Sequence, residues 1–215
     1  MARALVFAAL PAAVFVGLAT HLGDGSPLQA WDESFTHSVG LHTPDFVHTA
    51  SSWLTHAGDP AWLWVVGVCV AVALLLRGHR EVAVVWVAAL LGNGLLTRLL
   101  KLFFERARPL IDGLPGPAHG FSFPSGHSSA SLVAYGMLAY VGWRLLAVRW
   151  RLPLVLAAVV VVLTVACSRI VLQVHFASDV LGGLCVGLAW MLLCIGVAHQ
   201  LRPRRRERSA GPRLP

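Results

Sequence analysis

Six apolar segments constrain the fold of this chain more than any other feature, because each is close to the length that an α-helix needs to cross a lipid bilayer. They lie at about residues 4–20, 60–76, 82–100, 128–148, 153–172 and 177–198. Backbone polar groups inside hydrocarbon must be paired within the segment, so helices are expected. We therefore predict an all-α fold, an integral membrane bundle of six transmembrane helices, occupying residues 1–200.

The first segment follows Arg3 and also fits a cleaved signal peptide, although a retained helix is the preferred interpretation. A soluble domain does not need 57% hydrophobic residues with only 13% charged ones, which favours the membrane class. Residues 21–59 mix aromatic and polar side chains, and this pattern is compatible with a short helix lying on the membrane surface.

The basic residues indicate orientation in the membrane, and they do not favour nucleic-acid binding. Of the net charge of +7, much comes from the tail 201–215, which is predicted to be a disordered basic cytoplasmic tail near anionic lipid heads. With the N-terminus inside, most other cations also fall inside. Five cations fall on the outer side and need another explanation: Arg98, Lys101, Arg106, Arg108 and Arg169. We expect an inner (plasma) membrane protein whose functional face lies toward the periplasm or exterior.

Cysteine and histidine spacing does not point to a disulfide or a metal site. The four cysteines lie in apolar segments and form no C-x-x-C pair, and the histidines of the outer loops lack the spacing of metal ligands. No cofactor and no metal is therefore expected.

Three polar clusters fall on the outer side, and they span Lys101–Pro109, Pro124–His127 and Ser168–Asp179. If Lys101, Arg108 and Arg169 converge, they form an oxyanion site, since guanidinium groups match phosphate oxygens and an ammonium adds a point charge. Ser125 and the Gly126 amide precede a predicted helix, whose N-terminus favours anions. Taken singly, these residues are also compatible with interfacial anchors and a simple turn.

His175 and Asp179 are four residues apart, so both would lie on one face if the last helix begins near residue 175. Asp179 would then accept a hydrogen bond from one imidazole nitrogen and leave the other free to attack phosphorus. His127 would protonate the leaving oxygen. A structural pair or part of a metal site is the alternative interpretation of His175 with Asp179.

Together the clusters resemble the signature of the type 2 phosphatidic acid phosphatase superfamily, K-x6-R-P, P-S-G-H and S-R-x5-H-x3-D. The sequence matches every position and both internal gaps over residues 101–179. The resemblance implies a helical bundle and a metal-independent phosphatase. It implies His175 as the nucleophile that becomes phosphohistidine, Asp179 as its orienting partner and His127 as general acid and base. It implies a phosphate cradle of Lys101, Arg108, Ser125, Gly126 and Arg169.

Two arginines outside the signature are possible secondary contacts. Arg106 is compatible with binding a second phosphate or with a solvated loop position, and Arg98 either extends the cationic pocket or reaches toward lipid heads. Asn93, deeper in the same helix, is typical of a contact between helices.

The expected function is a lipid phosphatase acting on undecaprenyl diphosphate, phosphatidate or phosphatidylglycerol phosphate. A lipid phosphotransferase would use the same phosphohistidine with a different acceptor. A membrane transporter that binds phosphate without chemistry would use the same cations but would not require His175 with Asp179. The expected partners are the lipid phosphate substrate and membrane lipids, with no nucleic acid.

Overall fold

The computed structural model describes residues 2–23, 25–111, 114–115 and 119–200. These residues form eight α-helices: α1 Ala2–Ala19, α2 Pro27–His42, α3 Asp45–Leu54, α4 Pro60–Leu76, α5 Arg80–Phe104, α6 Gly126–Leu145, α7 Val148–Val171 and α8 Ala177–Gln200. A 3₁₀ helix, Thr55–Gly58, links α3 to α4. Two antiparallel strands, β1 Leu110–Ile111 and β2 Leu114–Pro115, pair between α5 and α6. Apart from that short ladder the fold is all-α, as predicted, and the predicted tail 201–215 lies outside the described residues.

Each of the six predicted apolar segments coincides with a helix, namely α1 and α4 to α8. In the described part of the chain, α5, α7 and α8 are long and apolar enough to cross a membrane. Residues 45–58 and 60–76 are bent by 41° relative to each other, and they make a fourth span if the two together are counted as a single span. The apolar part of α1, Leu5–Ala19, is shorter. The chain is thus a multi-pass membrane protein, but length and composition do not confirm the predicted count of six spans.

Helix α8 lies at the middle of the bundle, in contact with α1, α5 and α6. Its crossing with α6 depends on Gly183 and Gly187, which are one helical turn apart and let the two backbones approach closely. A Cβ at Gly187 would lie 2.9 Å from the Ser129 carbonyl oxygen, and one at Gly183 would overlap the Ser125 carbonyl oxygen. This close crossing brings the start of α6 against the start of α8.

The apolar core lies at the far end of the bundle from the polar clusters, between α4, α5, α6 and α8. Trp86 and Met137 are fully buried there, and Trp86 Nε1 donates a 2.9 Å hydrogen bond to the Gly67 carbonyl oxygen. A polar contact joins α5 to α6 nearer the clusters, where Ser129 Oγ donates to Asn93 Oδ1 at 2.7 Å. Asn93 thus makes the contact between helices that its position suggests.

The segment before α4 forms two surface helices, α2 and α3. Helix α2 begins after Ser26, whose Oγ accepts a 3.1 Å hydrogen bond from the Gln29 amide in an N-cap. One face of α2 buries Asp32, and the other exposes a stacked Trp31–Phe35 pair with centroids 5.1 Å apart. The buried face of α2 thus carries a carboxylate, Asp32, whose charge must be paired inside the protein.

Candidate active site

His175 lies in the short connection between α7 and α8, since α8 begins at Ala177 and not at residue 175. Asp179 lies in the first turn of α8, where one of its oxygens accepts a 2.9 Å hydrogen bond from the Phe176 amide. This is the acidic half of a capping box, which fixes the carboxylate at the helix start. His175 and Asp179 are both buried, with exposed fractions of 2% and 0%.

The two side chains are joined directly and through Ser122. His175 Nδ1 lies 3.5 Å from Asp179 Oδ2 and 3.3 Å from Ser122 Oγ, and Ser122 Oγ donates to the same Asp179 oxygen at 2.5 Å. A carboxylate only accepts hydrogen bonds, so these contacts assign the ring proton to Nδ1. Ser122, three residues before Ser125, lies outside the signature and was not among the predicted site residues.

The other ring nitrogen of His175 faces Arg108, whose Nη1 lies 3.2 Å from Nε2 and 2.6 Å from the Val174 carbonyl oxygen. Burial lowers the pKa of His175 to about 3, Asp179 opposes this shift, and the charges of Arg108 and Lys101 add to it. The imidazole is therefore neutral at physiological pH. Its Nε2 carries no proton, which is the form that can attack an electrophile.

Lys101 and Arg108 are held by main-chain carbonyl groups of the loop before α6. Lys101 Nζ donates to the carbonyl oxygens of Phe121 and Ser122 at 2.5 and 3.1 Å. Arg108 Nε donates to the Gly120 carbonyl oxygen at 2.9 Å. Partial burial lowers the pKa of Arg108 from its ordinary value because the charged guanidinium loses hydration.

Arg169, near the end of α7, is buried and donates to Thr55 Oγ1 at 2.8 Å. Its Nε is buried without a hydrogen-bond partner among the described residues. Arg169 and Lys101 both interact electrostatically with Arg108, so the three cations lie together. Within the described part of the chain none of the three forms an ion pair with a carboxylate. An anion bound among them would supply the missing negative charge.

Ser125 is the N-cap of α6, and its Oγ accepts hydrogen bonds from Ser128 N at 3.4 Å and Ser128 Oγ at 2.9 Å. The hydroxyl therefore serves the helix start. A Cβ at Gly126 would meet Lys101 Cε at an ordinary 3.9 Å, so protein packing alone does not require glycine here.

His127, the next residue of α6, is paired with an acid that the sequence analysis missed. His127 Nε2 lies 2.9 Å from Asp59 Oδ1, and Asp59 Oδ2 lies 2.5 Å from His56 Nδ1. Asp59 directly precedes Pro60 and an apolar helix, a pattern typical of a helix cap, so no signal in the sequence distinguished it.

Arg106 does not extend the phosphate site, contrary to the interpretation in which it binds a second phosphate, and it is not a solvated loop residue either. It is buried, and its two terminal nitrogens donate to Asp179 Oδ1 at 2.6 Å and to Asp32 Oδ2 at 2.7 Å. Its guanidinium also lies 4.5 Å from the centroid of the Phe176 ring. Arg106 thus links α2 to the partner of His175. Arg98, by contrast, is exposed on α5.

The sequence is similar to known proteins over most of its length. The PAP2 superfamily sequence pattern matches residues 82–203. Phosphatidylglycerophosphatase B of Bacillus subtilis is 28% identical over 183 residues, covering 84% of this chain and 89% of that protein. Lipid A 1-phosphatase of Rhizobium etli is 28% identical over 183 residues, with 73% of each chain covered.

Among solved structures, the crystal structure of a transmembrane PAP2 type phosphatidylglycerolphosphate phosphatase from Bacillus subtilis superposes with a TM-score of 0.81 at 27% identity, covering 91% of this chain and 98% of that chain. The chain belongs to the PAP2 superfamily. The prediction of an α-helical membrane phosphatase of this superfamily is confirmed.

Proposed function

We propose that the chain hydrolyses a phosphate from a lipid through a phosphohistidine at His175, without a metal ion. The observation that carries the proposal is the buried neutral imidazole, whose Nδ1 faces Ser122 and Asp179 while Nε2 faces Arg108. In this arrangement one nitrogen is fixed by acceptors and the other points into a group of cations. That is the geometry that a nucleophile for phosphoryl transfer requires.

In the first step, Nε2 of His175 attacks phosphorus while the bond to the lipid oxygen breaks. His127 donates its proton to that oxygen, so the lipid alcohol leaves neutral. Lys101, Arg108 and Arg169 bind the equatorial oxygens together with the first amides of α6. In the second step water attacks phosphorus, His127 takes the water proton, and the N–P bond breaks to release inorganic phosphate. A lipid phosphotransferase would differ only in using an acceptor hydroxyl in place of water.

The proposed substrate is a phosphomonoester or diphosphate on a lipid. The names of the relatives support phosphatidylglycerol phosphate and the 1-phosphate of lipid A. Phosphatidate and undecaprenyl diphosphate present the same terminal phosphate, so they belong in the same test.

The proposed topology places six helices, α1 and α4 to α8, across the inner membrane with the N-terminus in the cytoplasm. Placement of Arg and Lys supports it, because Arg77, Arg144 and Arg149 flank helices at the end opposite His175. The site then faces the periplasm or exterior. Residues 1–200 form the phosphatase domain and 201–215 a cytoplasmic tail.

The test is phosphate release by purified protein in detergent, with EDTA, from a panel of lipid phosphates and diphosphates at matched concentration. We expect release with at least one lipid and loss of release in His175→Ala. His37→Ala, which removes an exposed imidazole of α2, is the matched control and should retain activity. Unchanged release by His175→Ala would overturn the nucleophile assignment. Full inhibition by EDTA that added metal reverses would overturn the metal-free mechanism.

A further inference from the structure

We propose that His56 and Asp59 are positioning residues that hold His127 as the proton donor to the leaving alcohol. The proposal rests on the proposed function, because it requires His127 to act as the general acid. The three side chains form a continuous chain in which Asp59 contacts His127 Nε2 with Oδ1 at 2.9 Å and His56 Nδ1 with Oδ2 at 2.5 Å.

The side chain of Asp59 does not cap the helix that follows it, although its position suggests a cap. Asp59 stands at the N-cap of α4, before Pro60, yet its carboxylate makes no capping hydrogen bond to the helix. Both oxygens are turned toward histidines instead. The pairs are partly exposed, with exposed fractions of 33% for Asp59 and 63% for His56, so ion pairing here contributes little to stability. Orientation of the His127 imidazole therefore explains the contacts of the Asp59 carboxylate better than helix capping or a contribution to stability does.

The contact with Asp59 determines which ring nitrogen of His127 is left to donate a proton to the substrate. A carboxylate accepts but does not donate, so Nε2 carries a proton toward Asp59, and Nδ1 remains for the substrate. When His127 is protonated, the proton on Nδ1 is the one that can pass to the leaving oxygen. Gly58 lies next to this ring, since a Cβ there would lie 3.4 Å from His127 Cδ2.

Charges from three elements act on His127. Asp59 lies before α4, Arg169 lies in α7, and Arg108 lies in the loop after α5. Burial and the two arginines disfavour the imidazolium form, while Asp59 favours it. A general acid must be protonated before it acts, so the negative charge of Asp59 offsets the cations that the phosphate site needs. His56 in turn faces Asp59 and lies edge-on to Trp53, at a centroid distance of 6.4 Å.

A side chain of α6 holds the backbone between His56 and Asp59 in place. Tyr135 donates its hydroxyl proton to the Ala57 carbonyl oxygen at 2.8 Å, and Trp62 Nε1 donates to the Tyr135 oxygen at 3.1 Å. His56, Asp59, Trp62 and Tyr135 line one cleft of about 400 Å³. In the series of contacts from His56 through Asp59 to His127, the His56 end is thus open to solvent, while the other end is the proposed general acid, His127.

The test compares two leaving groups. A short-chain phosphatidate releases a poorly acidic alcohol that needs a proton, whereas p-nitrophenyl phosphate releases a phenolate that does not. Both substrates are compared by the rate of leaving-group release in the first turnover, before His127 acts as a base on water. In Asp59→Asn, which keeps an acceptor oxygen but loses the charge, we expect this first-turnover rate to fall by about 10²-fold for phosphatidate and to change little for p-nitrophenyl phosphate. The alkaline limb of the phosphatidate profile should move to lower pH. Added to His127→Ala, Asp59→Asn should have no further effect.

His56 is tested by the pair His56→Phe and His56→Gln. The phenylalanine variant should lose activity toward phosphatidate alone, and the glutamine variant, which can still donate to Asp59, should recover most of it. His48→Phe, at an exposed position of α3, is the control and should behave as the unmodified protein. Equal loss on both substrates in Asp59→Asn, or no loss on either, would overturn the proposal, and so would a His56→Gln variant no better than His56→Phe. Failure of the unmodified protein to hydrolyse either substrate would instead count against the proposed function.

Discussion

The main-chain amide of Ser125 donates a 2.9 Å hydrogen bond to the main-chain carbonyl oxygen of Asp179. This bond joins the start of α6, whose amides belong to the proposed phosphate site, to the start of α8, which supplies the partner of His175. The two helix starts meet because Gly183 lies against Ser125 in the α6–α8 crossing. Backbone contact between the two motifs therefore sets the distance between the proposed phosphate cradle and His175, the proposed nucleophile.

Substitution of Gly183 tests this dependence. Gly183→Val places a branched side chain against the Ser125 backbone, which cannot move away as a flexible side chain would. We expect a loss of about 1–3 kcal/mol or more in the free energy of unfolding, together with loss of phosphate release. Thermal unfolding in detergent measures the loss in the free energy of unfolding. Gly94→Ala in α5, where a Cβ meets nothing within 4 Å, is the control, and equal stability of the two variants would contradict the account.

Arg106 provides a second test, because it is buried between two carboxylates. Arg106→Met leaves Asp32 and Asp179 buried without their cation, which is expected to cost about 3–5 kcal/mol of stability. Adding Asp32→Asn to Arg106→Met should recover part of that loss, since one of the two unpaired charges is removed. A double-mutant cycle on thermal stability measures the coupling. Strict additivity of the two substitutions would show that the Arg106–Asp32 pair is not energetically coupled.

Ser122 should matter for rate more than for substrate binding. Its hydroxyl donates to Asp179 and lies beside His175 Nδ1, so Ser122→Ala removes a hydrogen bond to a charged group. The expected cost is about 1.5 kcal/mol, which corresponds to a roughly tenfold lower kcat. Steady-state kinetics with one lipid phosphate measures it. A raised KM with unchanged kcat would instead place Ser122 in substrate binding.

The signature residues could be predicted from the sequence because each lies at or next to a helix end on one side of the bundle. The contacts around them could not. Asp32 and Asp59 reach Arg106 and His127 across long stretches of chain, and an acid before a helix has a simpler interpretation as a cap. The sequence position of Arg106, two residues before Arg108, was compatible with a second phosphate contact or with a solvated loop, yet its side chain is buried and the two arginines have different partners. Sequence spacing indicates which helix ends meet, but not which side chains pair once they do.

The pKa of His175 predicts how stability depends on pH. Because its pKa is about 3 in the folded protein and about 6.5 in the unfolded chain, the unfolded state binds more protons between these values. The contribution to stability is therefore complete above about pH 6.5 and is lost as pH falls toward 3. Between pH 6.5 and 5 this amounts to about 2 kcal/mol. Thermal unfolding of the unmodified protein and of His175→Asn at both pH values measures the difference, and an identical pH dependence in both would contradict the assignment.

The most direct test of the account is to trap the phosphoenzyme. Purified protein is mixed with a short-chain lipid phosphate carrying ³²P in the terminal phosphate, quenched in alkali and mapped by proteolysis. We predict label on the peptide that contains His175, stable to alkali and released by acid as expected for a phosphoramidate. The label should be absent in His175→Ala and more abundant in His127→Ala when the substrate carries a leaving group that needs no proton. Phosphate release without any protein-bound label, or label on a different residue, would contradict the account.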